Sequence, residues 1–237
     1  MSAKVPHHIG FIVDGNGRWA KARSLPRSVG HLNGAKAVQR VLEACRKFGI
    51  KMATFWVFST ENWTRPKEEI DYLMKLFLDY LTKRGDKLIE NRARFRVLGD
   101  KSRFSPAIQD AMRDLEEKTK GFSDFFVNFM MNYGGQDEIL RVTRRIAAEA
   151  AEGRLSPGDV TRELFDRYSD LCGDPYPDFV IRTSGEQRLS GFLSWCAGYS
   201  ELYFPKYHFP DFDEEKLKEA LDEYSRRDRR FGQVRED

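Results

Sequence analysis

The hexapeptide Asp14-Gly15-Asn16-Gly17-Arg18-Trp19 follows directly on the apolar run His8-Ile9-Gly10-Phe11-Ile12-Val13. A short apolar run closed by a carboxylate and two glycines reads as a buried strand emptying into a tight turn. Glycines there let backbone N–H groups approach a ligand, and the N-terminus of a following helix favours an anion. Asp14 offers a hard oxygen ligand for Mg²⁺, and Arg18 a planar positive fork for phosphate oxygens. The turn thus holds the parts of a Mg²⁺-diphosphate site. Neither common nucleotide loop, G-x-x-x-x-G-K-[ST] or G-x-G-x-x-G, is present here. The hexapeptide alone leaves a plain surface turn open as the alternative.

Two further clusters carry polar groups of the same kind. Ser59-Thr60-Glu61-Asn62-Trp63-Thr64-Arg65-Pro66 puts hydroxyls, a carboxylate, an amide, an indole and a guanidinium into one short loop. It ends at a proline suited to the first turn of a helix. Ordinary caps and a packed tryptophan would explain it without function. The segment Arg182-Thr183-Ser184-Gly185-Glu186-Gln187-Arg188-Leu189-Ser190 sets two arginines and a hydroxyl around a Ser-Gly turn. Guanidinium forks bind phosphate oxygens two at a time, so this pair reads as a clamp for a second phosphate group. Salt bridges to Glu186 are the plain alternative, but Arg182 ends a buried strand, where an unpaired charge is costly. Arg27 and His31 follow the first loop and are candidate diphosphate contacts, against the usual role of a lone histidine as a structural group.

These side chains need a frame to bring them together. Apolar runs at 8–13, 52–58, 94–98, 125–131, 178–181 and 201–204 read as strands, most of them continuously apolar, as in a parallel sheet covered on both faces. Amphipathic stretches near 34–48, 67–90, 104–120, 136–152 and 213–227 alternate with them. The pattern predicts an α/β single domain, 1–237, with a mainly parallel six-stranded sheet flanked by helices. Ligands of such sheets bind outside the carboxyl ends of the strands. Asp14, Ser59 and Arg182 all stand at such ends, while Ser200-Glu201 precedes its strand and fits this rule less well. In 67–90, Ile70, Leu73, Met74, Phe77, Leu78 and Leu81 form one apolar stripe, and Tyr72, Leu76 and Tyr80 a second. A helix apolar on two faces lies deep in the core, or lends one face to a cavity or a subunit contact.

The chain has 237 residues with 40 Lys and Arg against 37 Asp and Glu, a formal charge of +3. That balance is too even to argue for nucleic acid, so any positive field is local. Cys45, Cys172 and Cys196 have no metal spacing and read as reduced, packed thiols of a cytoplasmic protein. The start of the chain lacks a signal-peptide hydrophobic region, and no apolar run approaches the length that spans a bilayer.

Taken in order, the Asp14–Trp19 turn, Gly30-His31, the Ser59–Pro66 loop, the Arg182–Ser190 segment and Tyr199-Ser200-Glu201-Leu202-Tyr203-Phe204 resemble the cis-prenyltransferases. The likeness runs from about His8 to Gly232. It implies a Mg²⁺-dependent homodimer that condenses isopentenyl diphosphate onto an allylic diphosphate of the farnesyl or geranylgeranyl type, forming cis double bonds. By this resemblance Asp14 is catalytic and holds Mg²⁺, with Glu201 as second metal ligand. Gly15, Asn16, Gly17 and Arg18 bind the allylic diphosphate, assisted by Arg27 and His31. Trp19 and Trp63 lie near that substrate. Ser59, Thr60, Glu61, Asn62 and Arg65 stand beside the reacting carbons, with Asn62 assigned as proton acceptor. An amide is a weak base, so a diphosphate oxygen taking the proton through Asn62 and Ser59 is the easier route. Arg182, Arg188, Leu189 and Ser190 match the isopentenyl diphosphate clamp. In a tail from about 228, Arg230 and Gly232 match a motif that reaches the dimer partner.

A hydrophobic product tunnel is expected between sheet and helices, its depth set by Val57, Phe77 and Phe129. Val57 is bulkier than the alanine common in long-chain members. The product class implied first is a polyprenyl diphosphate of the glycosyl-carrier-lipid type. The protein is then cytoplasmic, peripheral on the membrane at most. Gln187, Gly191 and Cys196 depart from the family pattern without removing a catalytic group. A short-chain or altered-acceptor enzyme, a noncatalytic subunit of the same fold and a nucleotide- or nucleic-acid-binding module are the alternatives.

Overall fold

Short, mostly buried apolar runs form five strands, His8–Ile12 (β1), Met52–Ser59 (β2), Ala93–Leu98 (β3), Phe125–Tyr133 (β4) and Phe179–Arg182 (β5), and the half-buried Glu201–Tyr203 (β6) forms a sixth at the edge. In the computed structural model, which describes residues 4–228, they make one sheet in the order β3-β4-β2-β1-β5-β6. Every neighbouring pair is parallel, so the expected mainly parallel sheet is parallel throughout. The intervening segments supply the helices Asn16–Lys21 (α1), Arg27–Lys47 (α2), Lys67–Asp79 (α3), Asp86–Glu90 (α4), Pro106–Thr119 (α5), Gly135–Ala151 (α6), Arg162–Tyr168 (α7) and Glu214–Ser225 (α8).

Strand alternation sorts the core into two layers. On one face Phe11, Phe55, Phe129 and Phe95 form an aromatic file across β1, β2, β4 and β3. Its successive ring centroids are 4.7, 5.9 and 5.2 Å apart. On the other face Ile12, Trp56, Met130 and Val180 pack against Phe192 and Leu193. Cys45 and Cys196 are buried as expected, but Cys172 is exposed at a left-handed position with φ +54° and is not packed.

The helices depart from the periodicity reading in instructive ways. α2 starts at Arg27, two turns before the apolar pattern, because Pro26 sets up the first turn while Arg27 and His31 face a cleft rather than the core. The expected continuous helix over 67–90 is broken by a π turn at Tyr80–Arg84. There Gly85 packs so tightly that a Cβ would come within 2.6 Å of the Leu81 carbonyl. α1 and α7 are too short to show a period.

A polar ladder crosses the second face. Arg96 on β3 donates to Asn128 on β4, whose amide donates to the Thr54 hydroxyl on β2 at 3.1 Å. Thr54 donates in turn to Nε2 of the fully buried His8 at 2.8 Å, because Nδ1–H must donate to the Pro175 carbonyl at 2.7 Å. Burial disfavours the charged imidazolium and lowers the His8 pKa from 6.5 to about 4. The stabilisation is complete above about pH 6.5 and is lost as pH falls toward 4, roughly 3 kcal/mol over that interval. Urea denaturation at pH 7.5 and 4.5 should show this fall in the wild type and a shallower one in His8→Gln. Equal falls in both would remove His8 as the source.

Candidate active site

The connections leave β1 toward β2 on one side and place β5 on the other, so a crevice opens at the C-terminal ends of β1 and β5. Asp14 and Arg182 meet across it. The turn between β1 and α1 demands glycine at position 15: φ is +99°, and a Cβ would come within 2.0 Å of the Ser184 hydroxyl. Gly30 performs the matching task on α2, where a Cβ would sit 2.0 Å from the Asn16 carbonyl. α1 can therefore lie directly on the first turns of α2, which brings Arg27 and His31 to the same crevice.

Charges alternate along the crevice. The Asp14 carboxylate accepts from Arg18 at 3.0 Å on one oxygen and from Arg182 at 3.1 Å on the other. Arg18 also donates to Glu186 at 2.6 Å, and Glu186 accepts from Arg188 at 2.5 Å. Arg182, only 6% exposed, closes the chain by donating to the Arg188 carbonyl and to Ser190 Oγ at 2.9 Å. The buried Thr183 hydroxyl donates to the Asp14 carbonyl at 2.7 Å, and the Phe209 N–H donates to the same carbonyl at 3.0 Å. The backbone of Asp14 is thus held independently of its carboxylate.

The loop after β2 forms a 3₁₀ turn over Thr60–Thr64, in which the Ser59 N–H donates to Asn62 Oδ1 at 3.2 Å. Behind it, in the first turn of α3, Glu69 Oε1 accepts from Arg27 at 3.1 Å, Arg65 at 3.2 Å and His31 Nε2 at 3.2 Å. Partial burial works against the Glu69 carboxylate, yet Arg27, Arg65 and His31 together hold its pKa below the ordinary value. Burial lowers His31, Glu69 opposes the shift, and Arg65 and Arg27 add to it. The imidazole is accordingly neutral at pH 7 with its proton on Nε2.

The resulting cleft encloses about 540 Å³. Of the predicted residues it is lined by Asp14, Gly15, Asn16, Gly17, Arg18, Arg27, His31, Val57, Ser59, Glu61, Asn62, Arg65, Arg182 and Ser190. A smaller apolar cavity of about 80 Å³ adjoins it and shares Val13, Asn16, His31, Val57, Phe58 and Leu73 with it. Phe77, Tyr80, Phe129 and Met131 line its deeper part. Val57 reaches both spaces because β2 loses register with β4 between Trp56 and Phe58, leaving Val57 unpaired and 37% exposed. The three expected tunnel residues therefore share one cavity wall, but the cavity is small and does not amount to a tunnel.

Other predicted residues lie elsewhere. Glu201 begins β6 level with Phe179 and Ile9, about 16 Å from Asp14 along the strands at ~3.3 Å per residue. It pairs with Arg227 at 3.2 Å, so within one chain it cannot share a cation with Asp14. Trp19 donates to Asp211 at 2.6 Å beneath Arg23, and Trp63 donates to Asn132 at 2.7 Å beneath Arg103. Neither indole lines the cleft. Thr60 abuts Gly134, Leu189 packs on the second core layer, and Arg188 reaches the site only through Glu186 and its carbonyl. Arg230 and Gly232 lie outside the described residues. Glu69 escaped the sequence reading because an acidic residue in a first helical turn is ordinary complement to the helix dipole. Thr183 carries no sequence signature of its own role, because a hydroxyl that pins a backbone carbonyl has no characteristic spacing.

Comparison with known proteins places this arrangement. Residues 12–232 match the prenyltransferase family described as undecaprenyl diphosphate synthase. The chain is 43% identical to an isoprenyl transferase of Aquifex aeolicus over 99% of each chain. It is 44% identical to a ditrans,polycis-undecaprenyl-diphosphate synthase, (2E,6E)-farnesyl-diphosphate specific, of Pseudomonas putida, over 99% of this chain and 93% of that one. The crystal structure of lavandulyl diphosphate synthase from Lavandula x intermedia, in complex with dimethylallyl diphosphate, superposes with a TM-score of 0.93 at 34% identity. That match covers 97% of this chain and 99% of the other. With nearly its whole length matched in sequence and its parallel sheet matched in space, the chain belongs to the undecaprenyl diphosphate synthase family of prenyltransferases.

Proposed function

We propose that the chain is a cis-polyprenyl diphosphate synthase, adding isopentenyl diphosphate to an allylic diphosphate such as farnesyl diphosphate and releasing diphosphate. One observation carries the reading: a cleft of alternating guanidiniums and carboxylates opens directly beside a cavity lined by Val57, Phe77 and Phe129. Such a pair of spaces suits a ligand with a diphosphate head and a hydrocarbon tail. Arg18, Arg27 and Arg65 would take the head of the allylic substrate, and Arg182 and Ser190 that of isopentenyl diphosphate.

In each round the allylic C–O bond breaks, a C–C bond forms to the terminal carbon of isopentenyl diphosphate, and a proton is lost. Guanidiniums fixed in place before the reaction stabilise charge on the departing diphosphate without reorganising. The Asn62 amide orients the proton's path, and a diphosphate oxygen receives it.

Asp14 suits Mg²⁺ as a single hard ligand. Its carboxylate is accessible in the cleft, and no group of three His, Cys, Asp or Glu side chains among the described residues forms a metal cage. Magnesium commonly takes one or two protein oxygens and completes its shell with phosphates. When bound, it would neutralise and draw off the leaving diphosphate.

We take the enzyme to be a cytoplasmic homodimer whose Arg230 and Gly232 complete the partner's site. No helix among the described residues is long and apolar enough to cross a membrane.

Incubation with Mg²⁺, labelled isopentenyl diphosphate and farnesyl diphosphate should give a ladder of long polyprenyl products on reversed-phase separation. EDTA should stop turnover and added Mg²⁺ restore it; a single short product or none would overturn the product class or the activity. Asp14→Ala should lower kcat by about a hundredfold or more, as expected for loss of a charge acting on the transition state. Its melting temperature should also fall, by roughly 10 °C, because Arg182 loses its counter-charge and keeps only two neutral acceptors, while Thr183 and Phe209 still hold the backbone at position 14. Val57→Leu should shorten the longest product, and an unchanged ladder would take Val57 out of chain-length control.

A further inference from the structure

We infer that Glu69 is a positioning residue of the diphosphate site, holding Arg27, Arg65 and His31 on one carboxylate oxygen so that their remaining donors are presented to the cleft. The inference rests on the diphosphate reading of that cleft.

The placement of the four groups argues for it. Arg27, Arg65 and His31 all line the cleft, whereas Glu69 does not. The carboxylate stands behind its donors rather than among them. It joins three separate pieces of chain: the first turns of α2, the end of the loop after β2, and the first turn of α3. Its contacts at 3.1, 3.2 and 3.2 Å all fall on Oε1.

A guanidinium carries five N–H donors in a planar fork, and Arg27 and Arg65 each give one to Glu69. Among the described residues neither has another hydrogen-bond partner, so most of each fork stays available. Arg27 is 62% exposed at its side chain, and a free arginine there would roam over many rotamers. Pinning one edge removes that freedom before a ligand arrives, which lowers the cost of binding. The same carboxylate offsets the repulsion between two guanidiniums that approach one point from different elements. It also dictates that His31 carries its proton on Nε2, since a carboxylate only accepts.

The opposing view is that Glu69 merely occupies the arginines and competes with a phosphate for them. The two views predict opposite signs. The test is calorimetric binding of inorganic pyrophosphate to the full chain as wild type, Glu69→Gln and Glu69→Asp, with steady-state kinetics alongside. Positioning predicts binding weakened about tenfold in Glu69→Gln and by less than about threefold in Glu69→Asp, which keeps the charge. KM for the allylic diphosphate should rise by a similar factor while kcat moves less than about threefold, a split that general loosening of the fold would not produce. Unchanged or tighter pyrophosphate binding by Glu69→Gln overturns the inference, as does a fall in kcat at constant KM. A wild type that binds pyrophosphate but makes no polyprenyl product refutes the proposed function, and the calorimetric comparison still decides the role of Glu69.

Discussion

Two guanidiniums share one carboxylate where β1 and β5 end, and much of the site follows from that arrangement. Arg182 is nearly buried at the end of its strand, so it needs a compensating charge, and Asp14, two residues beyond the end of the neighbouring strand, supplies it. Meeting there fixes the height of both loops. The Asp14 turn then has room only for glycine at position 15, because Ser184 fills the adjacent space. Arg18, one helical turn beyond Asp14, falls onto the other carboxylate oxygen and carries the alternation on to Glu186 and Arg188. A dianionic or trianionic ligand entering this chain finds each cation already oriented.

The apolar half of the site depends on the sheet in a different way. The aromatic file from Phe11 to Phe95 fills the face beneath α2 and α5, and the irregular pairing at Val57 turns one side chain out of the regular strand alternation toward the cleft. The polar and apolar spaces therefore meet at a bulge, where a strand can serve both. The π turn at Tyr80–Arg84 plays a related part farther in. It interrupts the helix where Tyr80 lines both the apolar cavity and a second, smaller one of about 30 Å³ beyond it.

Glu201 illustrates what a motif match leaves undecided. The family resemblance alone marks it as a metal-binding carboxylate, since it precedes its strand, and the parallel register of β1, β5 and β6 puts it at the opposite end of the strands from Asp14. Trp19 and Trp63 make the same point. Each indole N–H has a strong internal acceptor and an arginine over its ring, so in this chain both brace loops rather than line the cleft.

The strands were legible from residues alone, because a parallel sheet covered on both faces needs continuous apolar runs and nothing else in this chain supplies them. Loop chemistry was legible too: Asp14, Arg18, Arg65 and Arg182 announce themselves by charge, and Asn62 by its polar amide, in the loops at the ends of such runs. Helix boundaries were less so, since the first turns of α2 face the cleft and carry no apolar period, and a π turn leaves no compositional mark. Only the tertiary structure decided which charges meet. Glu69 gathering three donors, Thr183 pinning Asp14 and Glu201 lying apart are outcomes of strand register and helix docking. Sequence determines which groups exist and where the chain turns. Pairing across β1 and β5 and the seating of α2 on α1 determine which of them stand within hydrogen-bond distance.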